Sequence, residues 1–207
     1  IQIYFLIKYS IKIEKFNIDQ GTLAYTNEGF KIQAQKIIVA INSWMPELKI
    51  KQDSSMPLIL TSSITRPLTL KERLVLGNPK PWGVLSAKPT GATLRYTYDY
   101  RIMIRNTSEP HFEHNFNYKK CIEKHKKGLL RRFPQFPDID IENSWSGFIS
   151  VSRNGKPVFG NLYEKIFFAG AYNGGGLGLS VLFGAAMIDS ALKIKNSRLN
   201  LVASFPQ

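Results

Sequence analysis

The sequence predicts an α/β plus α+β protein, in which a parallel sheet bearing a glycine-rich strand–turn–helix is interrupted by an inserted antiparallel sheet. Three observations carry that prediction. The run Ile37 to Ile41 is continuously apolar, as in a strand covered on both faces of a parallel sheet. From Pro57 to Arg105, short strand-like pieces are punctuated by Pro57, Pro67, Pro79, Pro81, Pro89 and Gly91, a spacing that suits antiparallel strands. Late in the chain, the β-prone Ile166 to Ala169 leads to a turn, Asn173 to Gly178, that holds Gly174, Gly175, Gly176 and Gly178, and a helix-like run from Leu179 to Leu192 follows.

The opening, IQIYFLIKYSIKIEKF, alternates and is interrupted by Lys8, Lys12 and Lys15, a pattern of neither a signal peptide nor a spanning helix. It starts with Ile1 rather than Met and in mid-strand, so a preceding segment is expected. Thr22 to Thr26 alternates, Asn27-Glu28-Gly29 supplies a turn, and FKIQAQK alternates again, predicting a hairpin that leads into the buried strand. Asn42-Ser43-Trp44 then leaves the sheet and Pro46 forbids its continuation. The antiparallel pieces are Leu58 to Thr69, Gly83 to Lys88, Ala92 to Tyr98 and Arg101 to Arg105. From Tyr118 to Phe133, Ile122, His125, Leu129 and Phe133 recur at helical spacing, and Pro134 and Pro137 close the helix. Ser144 to Val151 reads as a strand, Ser152 to Gly155 as a polar turn, and Pro157 to Gly160 returns the chain to the glycine-rich segment. The residues after Lys193 read as a frayed tail.

A strand that passes through a glycine turn into a helix presents free backbone N–H groups at a positive helix end, which favours whatever is or becomes negative. Glycines there let a flat ligand approach the backbone, because no Cβ stands in the way. The segment therefore reads as a cofactor seat, compatible with a buried core helix. The uncharged stretch from Ile166 to Ile188 has the length of a membrane span, but Gly170, the turn glycines, Gly184 and Asn173 make it a poor one. A G-x-G-x-x-G fingerprint fails at its last position: Gly174 and Gly176 are followed by Leu179, and Gly176 and Gly178 by Val181.

With 207 residues and 43% hydrophobic content, the chain can bury the core of one or two domains. Cys121 is the one cysteine, which excludes an internal disulfide and suggests a reducing, cytoplasmic setting. The net charge of +13 is spread out, its short clusters (Lys119-Lys120, Lys124 to Lys127, Arg131-Arg132) falling in one helix as a solvated face. Without a recognised reading module, neither nucleic acid nor membrane is expected as a partner. His111-x-x-His114 with Cys121 and His125 is too sparse for a metal site, so no metal is expected.

With these residues in place, the chain resembles the carboxyl-terminal part of FAD-dependent amine and amino-acid oxidoreductases of the D-amino-acid oxidase, glycine oxidase and sarcosine oxidase type. The matching pieces are KIIVAINSW (Lys36 to Trp44), LRYTYDYRIMIRNT (Leu94 to Thr107), RRFPQFPDIDIENSWSGFISVSRNGKPVFG (Arg131 to Gly160) and FFAGAYNGGGLGLSVLFG (Phe167 to Gly184), in the family's order. The resemblance implies a remnant of an FAD-binding parallel-sheet domain with an antiparallel-sheet substrate domain inserted. It divides the chain into residues 1–52 (part of the FAD-binding domain), 53–148 (substrate domain), 149–195 (C-terminal part of the FAD-binding domain) and 196–207 (tail). It further implies FAD as cofactor, with Ala40 and Asn42 near its dinucleotide part, Gly174, Gly175, Gly176, Leu177 and Gly178 against the flavin ring, and Gly170 and Asn173 as further cofactor-binding residues. The substrate would be a small amine or amino-acid-like molecule, oxidised at a C–N bond by hydride transfer to FAD.

Two departures qualify the resemblance. The family's N-terminal G-x-G-x-x-G turn and ribose-binding acid have no counterpart, so the chain reads as a fragment inactive alone, or as a non-catalytic subunit completing a partner's flavin site. D-Amino-acid and glycine oxidases also carry a carboxylate-gripping arginine two residues beyond W-x-G, whereas Trp145-Ser146-Gly147 is followed by Phe148 and Ile149, and Asn173 stands where glycine oxidases place a second arginine. Arg66, Arg95, Arg101 and Arg105 remain as carboxylate ligands from the sheet, with Tyr96 and Tyr172 as pocket residues, against the alternative of strand-face charges and buried packing. No catalytic acid or base is assigned.

Overall fold

A computed structural model describes residues 12–17, 22–88, 91–111 and 116–203, so the opening residues, Pro89 and His114 lie outside the described residues. In chain order the elements are β1 (Ile13–Asn17), β2 (Thr22–Thr26), β3 (Lys31–Ala34), β4 (Ile37–Val39), β5 (Ser55–Thr65), α1 (Leu70–Val75), β6 (Trp82–Leu85), β7 (Thr93–Tyr96) and β8 (Ile102–Arg105). They continue with β9 (Glu109–Pro110), α2 (Tyr118–Arg132), β10 (Ile141–Ser152), β11 (Val158–Leu162), β12 (Ile166–Gly170), α3 (Gly176–Leu192) and α4 (Ser197–Ala203). The chain divides into two units, one from Ile1–Met56 with Ile149–Gln207 and the other Pro57–Phe148.

In the first unit, β12 lies between β11, antiparallel, and β4, parallel with Ile166 opposite Ile37 and Phe168 opposite Val39. Every residue of β12 is buried, and the period-2 alternation of a strand divides them between two cores. Phe167 and Ala169 pack with Phe183, Ala186, Met187 and Ala191 of α3, while Ile166 and Phe168 pack with Val39, Met45 and Ile50. A second, antiparallel sheet has the order β1-β2-β3.

Two expectations are corrected here. The strand expected over Ile37 to Ile41 ends at Val39, and it is not covered on both faces: Ile38 is 43% exposed. The reason is that, among the described residues, β4 pairs only with β12, so its other edge lacks a neighbouring strand. The frayed tail is the other correction, because Ser197–Ala203 folds as α4 and buries Val202 beside Phe183. Its anchor is polar: Asn196 Nδ2 and Arg198 Nε each donate 2.8 Å hydrogen bonds to the buried Asp189 carboxylate, which holds that carboxyl below its ordinary range.

In the second unit the sheet order is β10-β5-β8-β7-β6, with β9 paired to β5. β5 runs Ser55–Thr65, ending before Pro67, where Leu58 to Thr69 was expected. α2 starts at an Asn117 cap whose side chain accepts from Lys120 N, and Leu129 and Phe133 pack with Tyr96, Ile102 and Ile104 beneath it. His125 of α2 is fully buried and is held by hydroxyls, 2.7 Å from Ser63 Oγ and 3.2 Å from Thr107 Oγ1.

That burial, with Arg105 and Lys124 nearby, pushes the imidazole pKa down to about 4. The folded pKa lies below the unfolded one, so this contribution is complete above about pH 6.5 and is lost as pH falls towards 4. Urea unfolding at pH 7.5 and pH 4.5 is expected to show a loss of about 2 kcal/mol from this residue alone. The loss disappears in His125→Phe if its origin is the imidazole.

Candidate functional site

The turn between β12 and α3, and the segment that follows β4 beside it, contain residues held in left-handed backbone conformations. Asn42 has φ 46°, Ala171 φ 51°, Asn173 φ 53° and Gly174 φ 88°. Asparagine and glycine tolerate that region, but an alanine there costs about 1–2 kcal/mol and persists only when its surroundings fix it. Ala171 N donates to Asn42 Oδ1 at 2.9 Å, and Asn173 Nδ2 donates to Ala171 O at 2.8 Å. Asn173 N donates to Ser150 O at 3.0 Å, and Asn173 Oδ1 accepts from Ser152 N at 2.9 Å. Both asparagine side chains are thus committed to backbone groups, and their contribution is to set the shape of the turn.

Gly170 serves packing in the same place. A Cβ on it would stand 2.5 Å from Met45 Cε and 3.1 Å from Asn42 Cα, so only glycine lets the end of β12 approach the segment that follows β4. Gly174 and Gly178 are different, since no heavy atom lies within 4 Å of a Cβ on either. Gly178 also lacks a positive φ, so nothing within the described protein requires it to be glycine. The helix α3 begins beyond Gly175 with no side-chain cap and no acidic residue in its first turn. Its first N–H groups are therefore unclaimed by side chains and form a positive end open to an acceptor. Beside it Tyr172 packs edge-on to Phe183 at 5.7 Å, and burial raises its phenol pKa.

Along α3, Leu177 and Val181 are 95% and 74% exposed, and Ile188 and Leu192 continue the same stripe at helical spacing. Ala40 is exposed and lines an apolar hollow of about 850 Å³ with Phe16, Ile32, Ile38, Ile41 and Trp44. Sequence reasoning missed that exposed stripe, although the spacing Leu177, Val181, Ile188, Leu192 was its signal. It also missed the His125 network, whose signal was the polar run Thr61-Ser62-Ser63 within an otherwise apolar strand.

The remaining candidates separate clearly. Arg66 makes two 2.8 Å hydrogen bonds to Glu72, whose carboxyl is pulled down to about 2 chiefly by that contact, so this arginine is already paired. Tyr96 is buried in the core of the second unit against Trp82, with ring centroids 6.3 Å apart, so packing accounts for it. Arg101 is held by Asp99 and Glu142. Arg95 and Arg105 have no carboxylate partner among the described residues. Among the described residues, no three of His, Cys, Asp and Glu gather as a metal centre needs, and no helix is long and apolar enough to cross a membrane.

A glycine-lined helix end with unclaimed donors fits a flat, hydrogen-bond-accepting ring that becomes negative on reduction. A family model described as FAD dependent oxidoreductase matches residues 9–190. A probable oxidoreductase OrdL of Haemophilus influenzae is 34% identical over 67 residues, covering 32% of this chain and 16% of that protein. The glycine oxidase structure from Geobacillus kaustophilus superposes with TM-score 0.70 at 19% identity, over 90% of this chain and 49% of that one. The L-proline dehydrogenase structure from P. horikoshii superposes with TM-score 0.68 at 20% identity, over 90% and 50%. The chain spans about half the length of these solved structures.

Proposed function

The chain belongs to the DAO family of FAD dependent oxidoreductases, and from that premise we propose that it is the substrate-domain and C-terminal flavin-domain portion of an enzyme that oxidises a C–N bond of an amine or modified amino acid. The observation that carries this reading is the uncapped start of α3 behind Gly174 and Gly178, where backbone donors meet open space. When bound, FAD supplies the acceptor for a hydride leaving the carbon beside nitrogen. The chain's own part is to hold the flavin ring through the Gly174 to Gly178 turn and to place N–H donors of α3 where negative charge develops. Asn42 and Asn173 keep that turn in shape before any ligand arrives. Ala40, at the end of β4, lies towards the dinucleotide part of the cofactor. Residues 1–52 and 149–195 belong to the flavin domain in this reading, and 53–148 to the substrate domain.

The 207 residues do not turn over alone in this account. The apolar stripe of α3 and the edge of β4 that pairs with no strand among the described residues support a covering dinucleotide-binding half, on a second chain or in a further stretch of the same polypeptide. The same surface supports the second reading, a non-catalytic subunit that completes a partner's flavin site. Anaerobic mixing with paired substrates, alanine against lactate and glycine against glycolate, tests the chemistry once both halves are present. Bleaching of the flavin band by the amines alone is expected. Bleaching by the hydroxy acids alone would contradict C–N oxidation, and bleaching by neither would favour the second reading.

A further inference from the structure

Two turns of the first unit meet around a hollow of about 290 Å³ that gathers three cations. One is the short 3₁₀ turn Gln52–Ser54, entered through Lys51, whose φ of 49° is left-handed. The other joins β10 to β11 and contains Arg153, Lys156 and, at φ 71°, Gly155. Arg153 N donates to Ser54 O at 3.1 Å, which fixes one turn against the other. Lys51, Arg153 and Lys156 thus line one concavity from two stretches of chain, with the buried Pro157 and Val158 among its walls.

The fold makes no use of these charges. Within the second turn, Gly155 N donates to Ser152 O at 3.3 Å and Lys156 N to Asn154 Oδ1 at 3.0 Å, so backbone groups and an asparagine hold its shape. Asp53 is the one carboxylate lining the hollow, and three cations against one carboxylate leave an excess of two positive charges. None of the four forms an ion pair among the described residues. The same unit settles other cations differently: Lys12 is paired with Glu47, Lys193 with Glu164 and Arg198 with Asp189. Like charges drawn round a concavity repel one another and concentrate anions from solution. A tetrahedral dianion matches the excess, offering one pair of oxygens to the planar Arg153 fork and others to the two ammonium groups.

We infer that this hollow binds a phosphate group, as the free dianion or as the monoester of a small molecule, held between Lys51, Arg153 and Lys156. Ligand pockets run from about 300 Å³ upwards, so the space suits a phosphate on a short carbon skeleton rather than a nucleotide. Neither Ala40 nor Asn42 lines the hollow, so it draws on none of the residues given to the dinucleotide in the flavin reading. Binding is measurable whether or not that reading holds.

The probes are inorganic phosphate and glycerol 3-phosphate, titrated calorimetrically into the full chain at pH 8 and low salt, with acetate as the monoanion control. Wild type is expected to bind both phosphates about tenfold more tightly than acetate, with affinity falling as salt is added. Lys51→Gln and Arg153→Gln each weaken phosphate binding about fivefold, and Asp53→Asn strengthens it about threefold by removing the one repelling charge. The double variant Lys119→Gln/Lys126→Gln, on the exposed face of α2, leaves binding unchanged, which separates the hollow from the net charge of +13. All these positions are exposed, and circular dichroism checks each fold. A tighter ester assigns the hollow to an organic phosphate, and equal affinities assign it to the free ion. Phosphate bound no better than acetate overturns the site, as does equal weakening by the α2 variant. Displacement of phosphate by FAD overturns it too, because the hollow would then belong to the cofactor.

Discussion

Gly178→Leu reduces flavin affinity by at least a hundredfold and leaves the chain as stable as before, or more so. Within the described protein nothing lies within 4 Å of a Cβ at this position, and its φ is not in the left-handed region. It sits in the first turn of α3, where replacing glycine with leucine gains about 0.5–1 kcal/mol of helix propensity. The protein's own packing therefore gives no reason for glycine there. A ligand lying against the helix end does, since a leucine side chain would fill the space that a flat ring needs. Flavin fluorescence quenching measures the first effect and urea unfolding the second. Undiminished flavin affinity in this variant would remove the turn from the cofactor site.

Gly170→Val has the opposite profile, because that glycine is required by the fold. The added Cβ would stand 2.5 Å from Met45 Cε, which can swing away, and 3.1 Å from Asn42 Cα, which cannot. The γ-methyls of valine enlarge the clash, so the segment carrying Asn42 shifts and the Ala171 N to Asn42 Oδ1 bond is broken. Overpacking of about 1–3 kcal/mol combines with the lost hydrogen bond of about 1 kcal/mol, giving an expected destabilisation of about 3 kcal/mol. Flavin affinity falls with it, as the turn loses its support. Denaturant melts of Gly170→Ala and Gly170→Val check this, with the valine variant the weaker. Two glycines eight residues apart in one segment are thus separable, one by its effect on stability and the other by its effect on ligand.

The strand, turn and helix of the candidate site were legible because each has a local cause. Apolar β-prone residues make β12, glycines make the turn, and a long apolar run makes α3. The helix α2 was legible for the same reason, and its end is fixed by Pro134. What the sequence concealed depends on contacts between distant residues. The pinning of Ala171 by Asn42 joins positions 129 residues apart, and no local pattern encodes it. The burial of α4 depends on Asp189 and its hydrogen bonds to Asn196 and Arg198, which composition alone made look like a polar tail. The short helix α1 was missed although Thr69 and Glu72 form a capping box, a signal that was present but hidden among prolines. Among the candidate arginines, composition treats all alike; only the pairing of Arg66 with Glu72 and of Arg101 with Asp99 and Glu142 singles out Arg95 and Arg105.

The most direct test of the account is equilibrium dialysis of the purified chain against FAD, read by visible absorption. The account predicts a two-band flavin spectrum at about one flavin per chain, lost in Gly178→Leu while the circular dichroism stays native. A folded wild-type chain that remains colourless at saturating FAD would contradict the claim that the turn from Gly174 to Gly178 holds flavin without the covering half.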